Sequence, residues 1–161
     1  MIFEGAEKEV KLVVNPSFPS LRSIRKEQWI KVVASSGAQV ISKISNSFCD
    51  AYLLSESSLF IYDHKIIMIT CGQTNLVAGL FEMLNLIPPE QIEVLLYIRK
   101  AEVLRQNQIT RFQDDVKILN ERISGKAFQI GNISEDRVSL FHLDKFQNKN
   151  LEDMTLDLQM Y

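Results

Sequence analysis

The chain has 161 residues, of which 46% are hydrophobic and 24% charged, and its formal net charge is -2. That length predicts one domain with one core, over residues 1–161. Lysine and arginine are scattered, without a basic run interleaved with aromatic residues, which argues against a nucleic-acid-binding protein. No stretch approaches the roughly 18 apolar residues of a membrane span, and the first ten residues lack the apolar run of a signal peptide. We therefore expect a soluble, cytoplasmic protein that does not bind membranes.

Cysteine and histidine are sparse. Cys49, Cys71, His64 and His142 show no spacing typical of metal ligands. Two lone cysteines fit a reducing compartment. We expect neither a metal nor a disulfide.

The first half of the chain alternates strand and helix signals. A helix is predicted over 25–37, with Gly37 as its stop. Asp63 and His64 lie between two apolar runs, which is typical of a hairpin. The predicted strands in this half are 8–14, 38–44, 50–55, 58–62 and 65–70.

The second half contains two more helix signals. One covers 74–87, with Thr74 as its cap and two prolines at its end. The other begins at Thr110, which forms a capping box with Gln113. The predicted strands here are 91–99, 126–133, 137–143 and 153–160.

These elements predict an α+β fold with about eight strands in a largely antiparallel sheet. Three helices can cover only one face of so wide a sheet. Strands such as 39–44, 93–98 and 138–143 carry few charges, so the other face is expected to need a partner.

The segment Ser55–Ser58 (Ser-Glu-Ser-Ser) interrupts two apolar runs. A polar break between strands is usually a turn. The chemical alternative is self-cleavage: the Ser57 hydroxyl attacks the preceding carbonyl, an ester forms, and elimination leaves a pyruvoyl group. Such a group can form a Schiff base with a substrate amine and accept the electrons left by departing carbon dioxide.

Three separated motifs carry a family resemblance. The stretches FEGAEK (3–8), YLLSESSLF (52–60) and TCG (70–72), in that order, closely resemble the amino-terminal half of eukaryotic-type S-adenosylmethionine decarboxylase. The segments 22–29 and 152–158 are similar too. The resemblance implies a fold that is half of an αββα sandwich. It also implies a lyase that is made as a zymogen and that acts in spermidine and polyamine biosynthesis.

The resemblance also implies roles for individual residues. Glu56 and Ser57 match the cleavage site, dividing the chain into a beta chain (1–56) and an alpha chain (57–161) whose Ser57 becomes the pyruvoyl cofactor. Cys71 matches the proton donor, and Glu4 and Glu7 match two catalytic acids. The substrate-binding positions that it implies are Phe3, Leu54 and Glu56. Without the resemblance, Phe3 and Cys71 would be assigned to the core.

Ser57 and Cys71 can be related through the predicted hairpin. A two-residue loop would pair Ser57 with Thr70, whereas a loop of three or five residues would pair it with Cys71. The loop lacks the Asn-Gly or Asp-Gly of a tight turn. We therefore predict that Ser57 faces Cys71.

Asp153, Thr155 and Asp157 alternate along the last predicted strand and so share one face. A solvated face is the simpler interpretation. In diamine-activated members of the family a similar trio binds putrescine. Here Lys11 stands where those members have an acid and Ile69 where they have a lysine, so the resemblance does not support putrescine activation.

The family is about twice as long, and its second half supplies further processing and substrate residues. His64, expected at an exposed hairpin tip, and His142, expected in a core or interface, do not replace them. Three interpretations stay open: an amino-terminal half completed by another chain or domain, a homodimeric pyruvoyl decarboxylase of another amino acid, and a noncatalytic regulator of an active decarboxylase.

Overall fold

A computed structural model describes residues 7–70, 74–100, 106–123, 128–133 and 137–142. Eight strands in these ranges form one sheet in which all pairs are antiparallel. Their spatial order is β2-β3-β4-β5-β1-β6-β8-β7. The strands are β1 (Glu7–Val14), β2 (Val40–Ser45), β3 (Asp50–Leu54), β4 (Ser57–Ile61), β5 (Lys65–Thr70), β6 (Ile92–Lys100), β7 (Phe128–Ile133) and β8 (Arg137–His142). The predicted strand at 153–160 lies outside the described residues.

Three helices accompany the sheet: α1 (Lys26–Ser35), α2 (Leu76–Leu86) and α3 (Gln106–Ile123). Helix α1 stops before Gly37, whose φ of 80° is a left-handed value that glycine adopts without strain. The prediction of Thr74 as the cap of α2 was wrong, because Asn75 accepts the bond from the Ala78 N–H. The prediction that α3 begins at Thr110 was also wrong, because its first turn starts at Gln106.

The core lies between one face of the sheet and the helices. In β1 the alternate residues Val10, Leu12 and Val14 are at most 1% exposed. They belong to one buried cluster with Trp29, Val32 and Val33 of α1, Leu76, Val77, Leu80 and Met83 of α2, and Phe112, Leu119 and Ile123 of α3. Fully burying one such side chain stabilises the fold by roughly 1.5 to 3 kcal/mol. The prediction of helices on one face is confirmed.

The opposite face of the sheet is also largely apolar. Val13, Val94, Leu96 and Ile98 point there and are buried, but they do not belong to the helix-side cluster. Toward β3 this face opens to solvent, and Leu53 is 51% exposed. The part of the chain that the structure describes places all three helices on the other side, so this face is where a further layer could pack.

A polar contact joins helix α3 to strand β6 of the sheet. The Tyr97 hydroxyl of β6 donates to the Asp115 carboxylate, and Arg99 Nη1 lies 3.3 Å from the same oxygen. The Tyr97 ring stacks on Phe112 with 6.0 Å between centroids. Burial, followed by the charge of Asp115, raises the pKa of Tyr97, so the phenol keeps its proton and stays a donor.

Asp115→Ala should destabilise the chain more than Tyr97→Phe does. The alanine variant leaves a buried phenol and the Arg99 guanidinium without that carboxylate, which costs about 2 to 3 kcal/mol. The phenylalanine variant removes the phenolic hydroxyl itself and should cost about 1 kcal/mol. Urea unfolding of both variants measures the difference, and an Asp115→Ala loss no larger than that of Tyr97→Phe would contradict this role of the Asp115 carboxylate.

Candidate active site

The Ser-Glu-Ser-Ser segment forms a tight hairpin between β3 and β4. Leu53 pairs with Ser58, so Ser55 and Glu56 make the bend, and both are exposed. Ser57 begins β4 and is only 8% exposed. The predicted turn is therefore present, and it buries one serine immediately after an exposed glutamate.

Ser57 belongs to a row of buried polar side chains that crosses four strands. Ser57 pairs with Thr70, Thr70 with Lys8, and Lys8 with Arg99. The four side chains are between 2% and 8% exposed. Cross-strand partners share a face, and this one is the helix-covered face, since the next residue on the same side of β4 is Leu59 in the core. Polar groups are thus concentrated where the sheet is otherwise apolar.

The register of the β4–β5 hairpin differs from the prediction. Ser57 pairs with Thr70, not Cys71, and the Tyr62 N–H donates to the Lys65 carbonyl at 2.9 Å to close a two-residue loop. Cys71 itself lies outside the described residues. The prediction that Ser57 and Cys71 are cross-strand partners was wrong.

Contacts from distant residues explain the tight loop. The Asp63 carbonyl accepts from the Leu21 N–H at 2.7 Å, and its carboxylate accepts from the Ser20 hydroxyl at 2.5 Å. The His64 carbonyl accepts from the Val14 N–H at 3.0 Å. These bonds hold a two-residue loop without the Asn-Gly or Asp-Gly that an isolated hairpin would prefer.

Two threonine hydroxyls lie at the Glu56–Ser57 peptide bond. Thr70 Oγ1 donates to the Glu56 carbonyl at 2.7 Å. Thr74 Oγ1 lies 3.5 Å from Ser57 Oγ, the long limit of a hydrogen bond. The Thr74 carbonyl accepts from Lys8 Nζ at 2.6 Å, which links the start of β1 to the start of α2. The carbonyl and the hydroxyl needed for an acyl shift therefore each have a threonine beside them.

A pocket of about 450 Å³ opens at this bond. It includes three of the predicted site residues, Leu54, Glu56 and Ser57. The whole lining is Leu53, Leu54, Ser55, Glu56, Ser57, Ser58, Phe60, Ile69 and Thr70. The pocket is mostly apolar with a few hydroxyls, which is the usual character of a small-molecule site.

The remaining predicted residues fall into two groups. Glu7 is the exposed first residue of β1, next to buried Lys8. Phe3, Glu4, Cys71, Asp153, Thr155 and Asp157 lie outside the described residues, so their roles stay predictions.

His64 lies at the far end of the hairpin, six residues along β5 from Thr70, or roughly 20 Å at the rise of a strand. The prediction of an exposed tip was wrong, since the ring is half-buried and its Nε2 donates to the Phe18 carbonyl at 3.1 Å.

Sequence reasoning missed Thr70, Thr74 and Lys8. Thr70 and Lys8 belong to the TCG and FEGAEK motifs, but the family resemblance implies roles there only for Cys71, Phe3 and the two glutamates. The signal for Thr70 was its position in β5, where Ile66, Met68 and Thr70 alternate on the buried face. A hydroxyl in such a position needs a hydrogen-bond partner, and the Glu56 carbonyl supplies it.

Lys11 lies on the sheet face that the helices leave uncovered, because its neighbours Val10 and Leu12 point into the core. Burial lowers its pKa, with Lys65 acting in the same direction and Glu9 opposing it.

Across the described ranges no group of three or more His, Cys, Asp or Glu residues could hold a metal ion. No helix in those ranges is long and apolar enough to cross a membrane.

The fold and site define an α+β protein that buries a serine hydroxyl and holds the preceding carbonyl at a pocket. Comparison with known proteins gives the family. The family model for adenosylmethionine decarboxylase matches residues 1–161, and this chain belongs to that family.

Three curated relatives show how much of the protein is present. The S-adenosylmethionine decarboxylase proenzyme of Dictyostelium discoideum is 31% identical over 180 residues, covering 99% of this chain and 47% of the relative. The proenzyme of Leishmania donovani is 29% identical over 171 residues, covering 99% of this chain and 45% of the relative. S-adenosylmethionine decarboxylase proenzyme 3 of Arabidopsis thaliana is 40% identical over 91 residues, 52% of this chain and 26% of the relative. The chain thus spans about half the length of the first two.

Asn75→Ala should destabilise the chain by about 1 kcal/mol, because the helix α2 loses the side-chain acceptor of its first turn. Asn75→Ser should keep most of the stability, since serine caps helices about as well as asparagine does. Thermal unfolding of the two variants tests this assignment. An Asn75→Ala chain as stable as the unaltered one would show that this side chain does not cap the helix.

Proposed function

We propose that this chain is the part of an S-adenosylmethionine decarboxylase proenzyme that cleaves itself between Glu56 and Ser57. The observation that carries the proposal is the buried Ser57, which follows an exposed bend at a pocket and has its preceding carbonyl held by Thr70 at 2.7 Å. Family membership and the relatives' name, proenzyme, support it.

Ser57 would act first as an internal nucleophile. Its hydroxyl oxygen attacks the Glu56 carbonyl carbon, the carbon–nitrogen bond breaks, and the hydroxyl proton is transferred in net terms to the freed nitrogen. The product is an ester between Glu56 and the Ser57 side chain. Loss of the Ser57 α-proton then breaks the bond between its β-carbon and the ester oxygen, so that Glu56 leaves as a carboxylate and a dehydroalanine remains. Water hydrolyses the imine tautomer of that residue, which releases the nitrogen as ammonia and leaves the ketone. The fragments are the beta chain (1–56) and an alpha chain (57–161) with a pyruvoyl terminus.

The described residues fit such a group. Ser57 lies at the edge of the pocket, with Leu54 on its own side of the sheet. Phe60 and Ile69 line the pocket from the opposite side of the sheet, the side on which Ser58 lies. When formed, the pyruvoyl group supplies the electron acceptor for decarboxylation of an amino acid. Thr70 and Thr74 would remain beside it as hydrogen-bond donors. Glu4, Glu7 and Cys71 are proposed to act on substrate and its proton, with Phe3, Leu54 and Glu56 in substrate binding.

A second chain or domain is proposed to complete the site. This chain spans about half of the first two relatives, and one face of its sheet carries apolar side chains on the side away from the helices. We propose that the missing carboxy-terminal half, or a second protomer, packs there. A regulator that binds an active decarboxylase without cutting itself is the alternative, and the test below separates the two.

Ser57→Ala should abolish self-cleavage, and Ser58→Ala should not. The unaltered chain, alone or with the carboxy-terminal half of a relative, should give fragments of 56 and 105 residues, the remainder of 161. Ser58 is the matched control, because it is the adjacent serine and its half-buried side chain lies on the opposite face of β4. Denaturing electrophoresis with intact-mass measurement reads the result.

Three results would contradict the proposal. A cut that survives Ser57→Ala would place the nucleophile elsewhere. A larger fragment with a free amino group at its terminus would exclude the pyruvoyl group. A chain that stays whole with every complement, and resists hydroxylamine, which cleaves a stalled ester, would favour the regulator.

A further inference from the structure

We propose that Thr70 is a positioning residue for self-cleavage, whose hydroxyl stabilises the negative charge that develops on the Glu56 oxygen. This inference rests on the proposed function, and it assigns a role to a residue that the motif comparison left without one.

The direction of the contact is chemically unambiguous. A carbonyl oxygen has no proton to give, so Thr70 Oγ1 must donate to the Glu56 oxygen across their 2.7 Å. In the acyl shift the new bond forms from Ser57 Oγ to the carbonyl carbon, and the carbonyl electron pair moves to that oxygen. The charge appears on the atom that Thr70 already contacts.

The surroundings strengthen the effect. Thr70 is 2% exposed, so its hydroxyl acts away from bulk water, where a hydrogen bond to a developing charge is worth more. The distance falls in the range of donors that stabilise oxyanions, about 2.7 to 3.1 Å. The hydroxyl is in place before the reaction, and no reorganisation is needed at the moment of attack.

A left-handed backbone conformation at Glu56 or Ser57 would be another way to strain and activate this peptide bond, and neither residue has one. Among the described residues only Gly37 has a positive φ, so Glu56 and Ser57 do not have that strained conformation. Polarisation of the carbonyl by Thr70 is the activation that we infer for this peptide bond.

Rate measurements test the assignment with three variants. Thr70→Val keeps the shape and removes the hydroxyl, and cleavage should slow roughly 100-fold. Thr70→Ser restores the donor and should bring the rate back to within about tenfold of the unaltered chain, since each oxyanion donor is worth two to three orders of magnitude. Ser36→Ala removes a different buried hydroxyl, one that donates to the Val33 carbonyl at 2.6 Å, and should leave the rate unchanged.

A second measurement does not require cleavage. In the uncut Ser57→Ala chain, the carbon-13 resonance of the Glu56 carbonyl should shift when Thr70→Val is added and should stay in place with Thr70→Ser. This readout responds to the hydrogen bond itself, whereas a general loss of stability would alter many resonances.

The results separate this inference from the function beneath it. If the unaltered chain is cut and Thr70→Val is cut equally fast, the role of Thr70 is overturned and the self-cleaving function stands. If the Glu56 carbonyl resonance does not shift when Thr70→Val is added, the role of Thr70 is overturned as well. If the unaltered chain is never cut, both proposals fall.

Discussion

The register of the β4–β5 hairpin is the constraint on which the site depends. Ser57 is buried beside Thr70 because the two are cross-strand partners. A slip by one residue would turn every side chain of one strand to the other face of the sheet. The register is fixed at the opposite end of the hairpin, where the Asp63 and His64 carbonyls accept bonds from Leu21 and Val14. Contacts roughly 20 Å from the candidate scissile bond therefore decide whether its carbonyl meets a donor.

The same site shows a conflict between stability and chemistry. Ser57, Thr70, Lys8 and Arg99 form a buried polar row on the face that elsewhere carries aliphatic side chains. Each such group taken from water must be hydrogen-bonded or it costs on the order of 1 to 3 kcal/mol. The bonds from Lys8 to the Thr74 carbonyl and from Thr70 to the Glu56 carbonyl supply part of that compensation. Places where a sequence departs from simple patterning in this way are often functional.

Periodicity was enough to predict the presence of the three helices, the strands through β8 and the placement of the helices on one face of the sheet, because alternation and 3.6-residue spacing are local properties. The hairpin register was not predictable in this way, since its loop is held by Ser20, Leu21 and Val14, which are distant in sequence. The choice of Asn75 over Thr74 as a cap depends on backbone angles, because both residue types cap helices well. The family motifs identified Ser57 and its pocket neighbours, but they did not show which hydroxyl meets the Glu56 carbonyl.

The contacts around Ser57 do not include a proton acceptor among the residues that the structure describes. Thr70 stabilises charge on the carbonyl side of the reaction, but the hydrogen-bond partner of Ser57 Oγ within the described residues is the Thr74 hydroxyl. A neutral hydroxyl is a poor general base near neutral pH, so it would not take the serine proton efficiently. In the proposed reaction the nucleophile and the electrophile come from one hairpin, while the proton acceptor would come from outside the residues that the structure describes. The chain spans about half the length of its Dictyostelium and Leishmania relatives, and under the proposed function a second half would pack on the sheet face away from the helices and could supply that group.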